Sequence, residues 1–344
     1  MNATARNAQP VLEPFYYLKN FELVLSTILA RYADLLSGEE SRFITSFSQA
    51  QQSSRALLAR MVMRRGDLFK LSKLDYLEIG DTHAAALPLI EAGWVTDRPM
   101  LSLEQLQSLL TKAELIRCLC LPRRYADWRK PAVVSMLTAQ YPAPRAFAEW
   151  CADSTDSVYA LLIAPLCERF RLMFFGNYRQ SWSEFVTADL KIFNYETVER
   201  SSHSRPFQTR AQIDVFEHLQ ECREWLEEGV PLDELIQLIP PVIKDSEWLE
   251  DRRQKLLFSV AREFERAGEF TTALAMYLDC THRGARTRAI RLTSRAHDWP
   301  AARSLCLLAQ QNPESEAQLQ HIRRVLPRAN RKLGIPGDTD AAPP

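Results

Sequence analysis

Two stretches near the end of the sequence repeat each other, and a repeat limits the possible folds more than any single helix signal does. RAGEFTTALAMYL at 266–278 and RAHDWPAARSLCL at 295–307 align without a gap, offset by 29 residues. Glu269 lies over Asp298, Phe270 over Trp299, Ala273 over Ala302 and Leu278 over Leu307. Stacked helical hairpins need a small residue where two helices cross closely, and an aromatic fills the groove beside it. Ala273/Ala302 and Phe270/Trp299 supply those shapes. The register therefore predicts helical repeats over 251–332; an ordinary pair of helical hairpins would present the same local pattern.

The rest of the chain is consistent with a mainly α fold. There are 10 glycines for 19 prolines in 344 residues, which suits helices separated by proline-marked joints better than strands and hairpins. Residues 14–36, PFYYLKNFELVLSTILARYADLL, place apolar side chains at three- and four-residue steps, the mark of an amphipathic helix. Ser37-Gly38 ends it, EESRFITSFSQA starts a second, and Ser53 or Ser54 offers an N-cap to a third that stops at Gly66. A further helical unit runs through LSLEQLQSLLTKAELIRCLCL, and AVVSMLTAQY follows. Residues 146–186 read as largely helical, DLKIFNYETV as a strand, ERSSHSRPFQT as a loop and GIPGDTDAAPP as a disordered tail.

No apolar run reaches the roughly 18–20 residues of a spanning helix, so no membrane partner is expected. MNATARNAQP lacks the apolar core of a signal peptide, which points to the cytoplasm. Seven cysteines, scattered without a CxxC pair, fit reduced thiols there.

The net charge of zero conceals a sorted distribution. From Arg55 to Lys73 there are six basic residues against one acid, Asp67. Acids then dominate Asp214–Asp251, and basic residues return in 252–332. Such blocks set up oriented surface fields even when the sum vanishes. Within LLARMVMRRGDLFKLSKLDY, Arg60, Arg64, Arg65, Lys70 and Lys73 are candidate phosphate contacts. Alternatively, Arg60 and Arg64 form one solvated helix face. A second cluster, RRYADWRK, sets Arg123, Arg124, Arg129 and Lys130 around Tyr125 and Trp128. Aromatics among arginines suit contact with an exposed base or sugar; equally, Trp128 could plug the core between two helices.

The order of these pieces resembles a known family. SKLDYLEIG followed by THAAALPLIEAGWVT resembles the closing part of a winged helix-turn-helix. LLTKAELIRCL with PAVVSML is similar to a SAP motif, although that motif's usual glycine before the lysine is replaced here by Trp128-Arg129. The repeat is similar to tetratricopeptide repeats, though shorter than their usual period of about 34. Together with NYETVERSSHSRPFQTRAQI, the series resembles the Fanconi-associated nuclease family, whose members end in a VRR-NUC catalytic domain. The resemblance implies five segments: a winged-helix-like DNA-binding region at 1–100, a SAP-like element at 101–145, a helical linker domain with a short strand at 146–250, tetratricopeptide-like repeats at 251–332, and a tail at 333–344.

It also implies a function: the DNA-recognition portion of a structure-specific repair nuclease that cleaves 5′ flaps and trims DNA past interstrand crosslinks. The expected partners are branched or flapped DNA and a C-terminal nuclease domain, in the bacterial cytoplasm at the nucleoid. The family's catalytic signature, Pro-Asp followed by Glu-Val-Lys, has no counterpart, and Asp189-Leu190-Lys191 is the only acidic-x-lysine triplet. The chain is therefore expected to be inactive alone and to hold no cofactor, with magnesium or manganese belonging to the nuclease domain. Cys118 and Cys120 lack a second pair at zinc spacing, and the six histidines are far apart. A helical-repeat scaffold that binds protein and not DNA is the rival from another class.

Overall fold

The apolar period of residues 14–36 closes into α1 (Tyr16–Tyr32), which buries Tyr17, Phe21, Val24, Leu25, Ile28 and Tyr32 along one face. Ser37 then caps α2 (Gly38–Gln49) through a reciprocal capping box with Glu40, satisfying two amides that the first helical turn leaves open. The third helix, α3 (Gln52–Val62), begins before the expected serines: Gln51 is its N-cap, and Ser54 is buried within it. It also ends earlier than Gly66, which takes its left-handed conformation (φ +82°) in the turn beyond.

The structure, a computed structural model, describes residues 13–182 and 205–336. They fall into two units that part after Gln208. The expected strand DLKIFNYETV and most of the loop after it lie outside the described residues, as do Asp189, Lys191, His203 and the tail beyond 336.

In the first unit, α1 and α3 pack together, and α3 also packs on α4 (Thr82–Glu91), whose N-cap is Asp81. Three antiparallel strands complete this part: β1 (Leu68–Lys70) and β2 (Val95–Thr96) flank β5 (Val158–Leu161). Between β2 and β5 the chain leaves the sheet and builds a separate small core. A two-stranded clasp, β3 (Met100–Leu101) against β4 (Arg145–Ala146), closes this excursion. Inside lie α5 (Leu103–Leu109), α6 (Lys112–Cys118), a 3-10 turn (Arg123–Asp127) and α7 (Lys130–Leu137). Leu101, Leu106, Leu115, Val133, Val134 and Trp150 fill it, and the Trp150 indole N–H donates to the Leu101 carbonyl at 2.9 Å. The helical unit read over 101–121 divides into two helices, because Leu110 is extended and Thr111 opens α6 with its own capping box to Glu114.

The boundary read at 145/146 cuts β4, and of the stretch read as largely helical, 146–186, the described part 146–182 is not. It holds β4, one turn of helix, α8 (Phe147–Trp150), the central strand β5, and only then α9 (Ala164–Phe175). The chain's main division comes at 208/209, within the segment read as a linker domain.

The second unit is helical throughout its described residues: α10 (Arg210–Glu228), α11 (Leu232–Leu238), α12 (Glu247–Ala267), α13 (Phe270–Asp279), α14 (Ala285–Arg295), α15 (Trp299–Gln311) and α16 (Glu316–Lys332). Each packs on its neighbour from α12 onward. The 29-residue offset is visible in the backbone. Gly268 (φ +88°) and His297 (φ +61°) hold the same left-handed corner. The amides of Glu269 and Asp298 then reach back to Phe264 and Thr293 at 2.9 and 3.0 Å. Ala273 and Ala302 are both fully buried. The aromatics differ: Trp299 is nearly buried, whereas Phe270 is half-exposed beneath the Arg295 guanidinium, 4.7 Å from its ring. Leu278 and Leu307, aligned in the sequence, both face solvent.

Candidate nucleic-acid interface

The basic residues of the first unit separate into two groups, distinguished by what their side chains touch. Arg60, on α3, donates to Glu78 at 2.5 Å, and its guanidinium carbon lies 3.8 Å from the Tyr17 ring and 4.8 Å from the Tyr76 ring. It holds the turn after β1 against the helices, so neither the phosphate-contact reading nor the solvated-face reading describes it. Burial is the largest single influence and pushes the Glu78 carboxyl up, but the Arg60 bond and charge, a backbone hydrogen bond and Tyr17 together hold it below the ordinary range.

Lys70 is also engaged internally. Its side chain is only 11% exposed, and its ammonium sits 2.8 Å from Glu114 and 3.4 Å from Asp156. Glu114 has two tasks: Oε2 accepts the Thr111 amide to cap α6, while Oε1 takes Lys70. The Lys70 bond and the Thr111 contacts pull the Glu114 pKa from 4.5 down to about 2. Asp156 accepts from both the amide and the hydroxyl of Ser72. One lysine thus joins β1, the start of α6 and the loop before β5. Lys130, expected to contact DNA, is likewise engaged internally: its ammonium bonds the carbonyls of Gln107 and Leu110 at the end of α5. Lys112, which sequence reasoning passed over, does the same for Ala126 and Trp128, at 2.5 and 3.2 Å. A cation that satisfies a helix's open carbonyls is spent on the fold.

The second group faces outward. Arg64, Arg65, Lys73, Arg123, Arg124 and Arg129 are exposed, and none makes an ion pair among the described residues. Arg64 donates to the Lys73 carbonyl at 2.8 Å and lies 5.5 Å from the Tyr76 ring, which orders it without neutralising it. Arg124 rests 5.2 Å from the Tyr125 ring. Tyr125, not Trp128, is the plug of the small core. Trp128 remains 39% exposed, its ring 5.5 Å from Tyr125. The outward cations therefore occupy both the helix-turn-helix part and the inserted element, and Lys70 ties those two together.

One further expectation is overturned. Cys118 and Cys151 form a disulfide across the inserted element, where scattered free thiols were expected. They are 33 residues apart in sequence, so no local spacing pointed to the pair. Cys120, Cys167, Cys222, Cys280 and Cys306 remain free. Alkylation of the unfolded chain without reductant should label five thiols, rising to seven after reduction. Seven labelled without reductant would refute the bond.

Among the described residues, no three His, Cys, Asp or Glu side chains converge to hold a metal ion, and no helix is long and apolar enough to cross a membrane. His83 is occupied with the Tyr159 hydroxyl at 3.0 Å.

Comparisons with known proteins agree with this division into parts. The family model "FAN1, HTH domain" matches residues 15–96, and "Fanconi anemia-associated nuclease SAP domain" matches residues 100–150, the helix-turn-helix part and the clasped insertion respectively. A Fanconi-associated nuclease 1 homolog of Pseudomonas aeruginosa is 46% identical over 98% of this chain, which covers 60% of that protein. One of Arabidopsis thaliana is 25% identical over 62% of this chain and 25% of its own length. The crystal structure of paFAN1 bound to DNA with a 2-nucleotide 5′ flap and a gap superimposes with a TM-score of 0.91 at 47% identity, covering 97% of this chain and 62% of that one. The chain thus spans less than two thirds of the bacterial relative. On the two matched domains and an agreement that runs through both units, the chain belongs to the Fanconi-associated nuclease family.

Proposed function

We propose that this chain is the DNA-recognition portion of a structure-specific nuclease that acts on 5′-flapped DNA in repair, including the repair of interstrand crosslinks. The observation that carries this is the outward group of cations, Arg64, Arg65 and Lys73 on one element and Arg123, Arg124 and Arg129 on the other. Each phosphate such a cation neutralises releases a counterion, which gives affinity without reading sequence. Two cation groups on one unit suit two stretches of backbone, as a branched substrate offers, and Trp128 adds a face on which an unpaired base can stack. The similar paFAN1 was solved with flapped, gapped DNA, which supports the same partner here.

In this proposal the second unit is a short tetratricopeptide-like array, supported by the shared corner at Gly268 and His297 and the buried Ala273 and Ala302. It serves as the support for a VRR-NUC nuclease domain. Among the described residues no group of side chains fits a catalytic metal; in this proposal magnesium or manganese belongs to that domain, and this chain would bind DNA without cutting it. The proposed place of action is the bacterial cytoplasm, at the nucleoid.

Binding to a labelled 5′-flap DNA across a salt series separates this from a protein-binding scaffold. Log affinity should fall linearly with log salt, with a slope of roughly −0.9 per phosphate contacted. A chain that binds no DNA at low salt would leave only the scaffold.

A further inference from the structure

The disulfide of the inserted element ties the last residue of α6 to the residue just after α8. Between Cys118 and Cys151 the chain carries Arg123, Arg124, Trp128 and Arg129, the side chains this element brings to the proposed interface. The far part of that segment has its own anchors: Tyr125 is buried in the small core, and Lys112 holds the carbonyls of Ala126 and Trp128. The near part follows the end of α6. There the amides of Cys120 and Leu121 reach back to the carbonyls of Arg117 and Ile116 at 3.1 and 2.9 Å. Arg123 and Arg124 lie between these two attachments, and the covalent tie at Cys118 fixes the near one against α8.

The two bonded cysteines differ in access. Cys151 is 6% exposed, whereas Cys118 is half-buried. The Cys118 Sγ also lies 3.0 Å from the Trp150 carbonyl. A disulfide sulfur has no proton to give, but a thiol does. Once reduced, Cys118 can therefore donate a weak hydrogen bond there, which keeps it beside Cys151 and lets the bond form again in place. Of the five free cysteines, four are buried and only Cys120 is exposed. Disulfides are rare in a reducing cytoplasm, and those that do occur there are mostly transient or redox-sensing.

We propose that Cys118–Cys151 is a reversible redox site that sets how tightly the inserted element holds DNA, more tightly with the bond closed than with it opened by small thiols. It rests on the DNA-binding reading above and on the cytoplasm as the place of action. The thiolate of a small thiol attacks the Cys118 Sγ, the Cys118–Cys151 bond breaks, and Cys151 leaves as a thiolate that takes up a proton. A second small thiol attacks the outer sulfur of the mixed disulfide. Cys118 then leaves and is protonated, and a small-molecule disulfide forms. Two thiols are consumed, two electrons enter the protein, and a small-molecule disulfide reverses both steps. Opening the bond removes no cation. It loosens the near end of the segment that carries Arg123 and Arg124, so that DNA must order these side chains on binding, at a cost in affinity.

The test uses the 344-residue chain, oxidised or reduced with excess dithiothreitol, in 5′-flap DNA binding across a salt series well below the melting temperature of either form. Alkylation counts the thiols in each sample. The reduced chain should bind about threefold to tenfold more weakly, as when one or two long side chains must be ordered on binding. The salt slope should hold, and oxidised glutathione should restore the affinity. Cys118→Ser should bind like the reduced wild type with or without dithiothreitol, whereas Cys120→Ser should respond as the wild type does. Equal affinity of the oxidised and reduced wild type, a comparison that needs no variant, overturns the redox site while DNA binding stands. A response that survives in Cys118→Ser, or disappears in Cys120→Ser, belongs to another thiol and overturns it too. An oxidised wild type that binds no flap DNA overturns it together with the reading beneath it.

Discussion

Lys70→Ala should destabilise the first unit by about 2–4 kcal/mol at neutral pH, somewhat under the loss expected when a fully buried pair is broken. The substitution strands two carboxylates at once: Glu114, 30% exposed, and Asp156, 15% exposed, both face the Lys70 ammonium. It also loosens the one contact that joins β1, α6 and the loop before β5. The effect should depend on pH with a definite sign. Glu114 has its pKa depressed from 4.5 to about 2, so its pairing stabilises above about pH 4.5 and is lost as pH falls toward 2. The gap between wild type and Lys70→Ala in urea unfolding should therefore narrow across that window. An equal gap at pH 7 and pH 2 would mean that Lys70 acts through packing and not through charge.

Ala302→Leu should lower the stability of the second unit by about 1–3 kcal/mol, the usual cost of overpacking a filled site. Ala302 is fully buried, as is its counterpart Ala273, and a larger side chain must part α15 from a packed neighbour. Arg303 is a poor control, because it is half-buried and its guanidinium bonds Asn330 at 2.9 Å. Ser304 is exposed, so Ser304→Leu should change the melting temperature little. Equal losses in the two variants would show that the 29-residue register does not mark helix-crossing positions.

Local patterns were legible in the sequence, and long-range pairings were not. The period of α1 and the beginning of a second helix just past Ser37-Gly38 follow from neighbours within a turn or two, and the small residues at 273 and 302 from a repeat of the sequence itself. The strands are two to four residues long, too short for an alternating pattern to show. β5, the middle of its sheet, pairs with segments some 60–90 residues earlier. The candidate cations show the same limit. A count of arginines and lysines finds the basic stretches. It does not find Glu78 for Arg60, 18 residues on, or Glu114 for Lys70, 44 residues on. Lys130 was placed with the outward cations because nothing in RRYADWRK shows the carbonyls of Gln107 and Leu110 beneath it.

The division of cations into those that hold the fold and those that face outward is the centre of this account. Replacing Arg65, Lys73, Arg123 and Arg129 together with alanine tests it most directly, with 5′-flap DNA binding followed across a salt series and melting measured alongside. The log–log salt slope should flatten by up to about 3–4 units, near one per lost contact. The melting temperature should stay at that of the wild type, since none of the four holds an ion pair among the described residues. An unchanged slope and affinity in a variant that melts like the wild type would contradict the account.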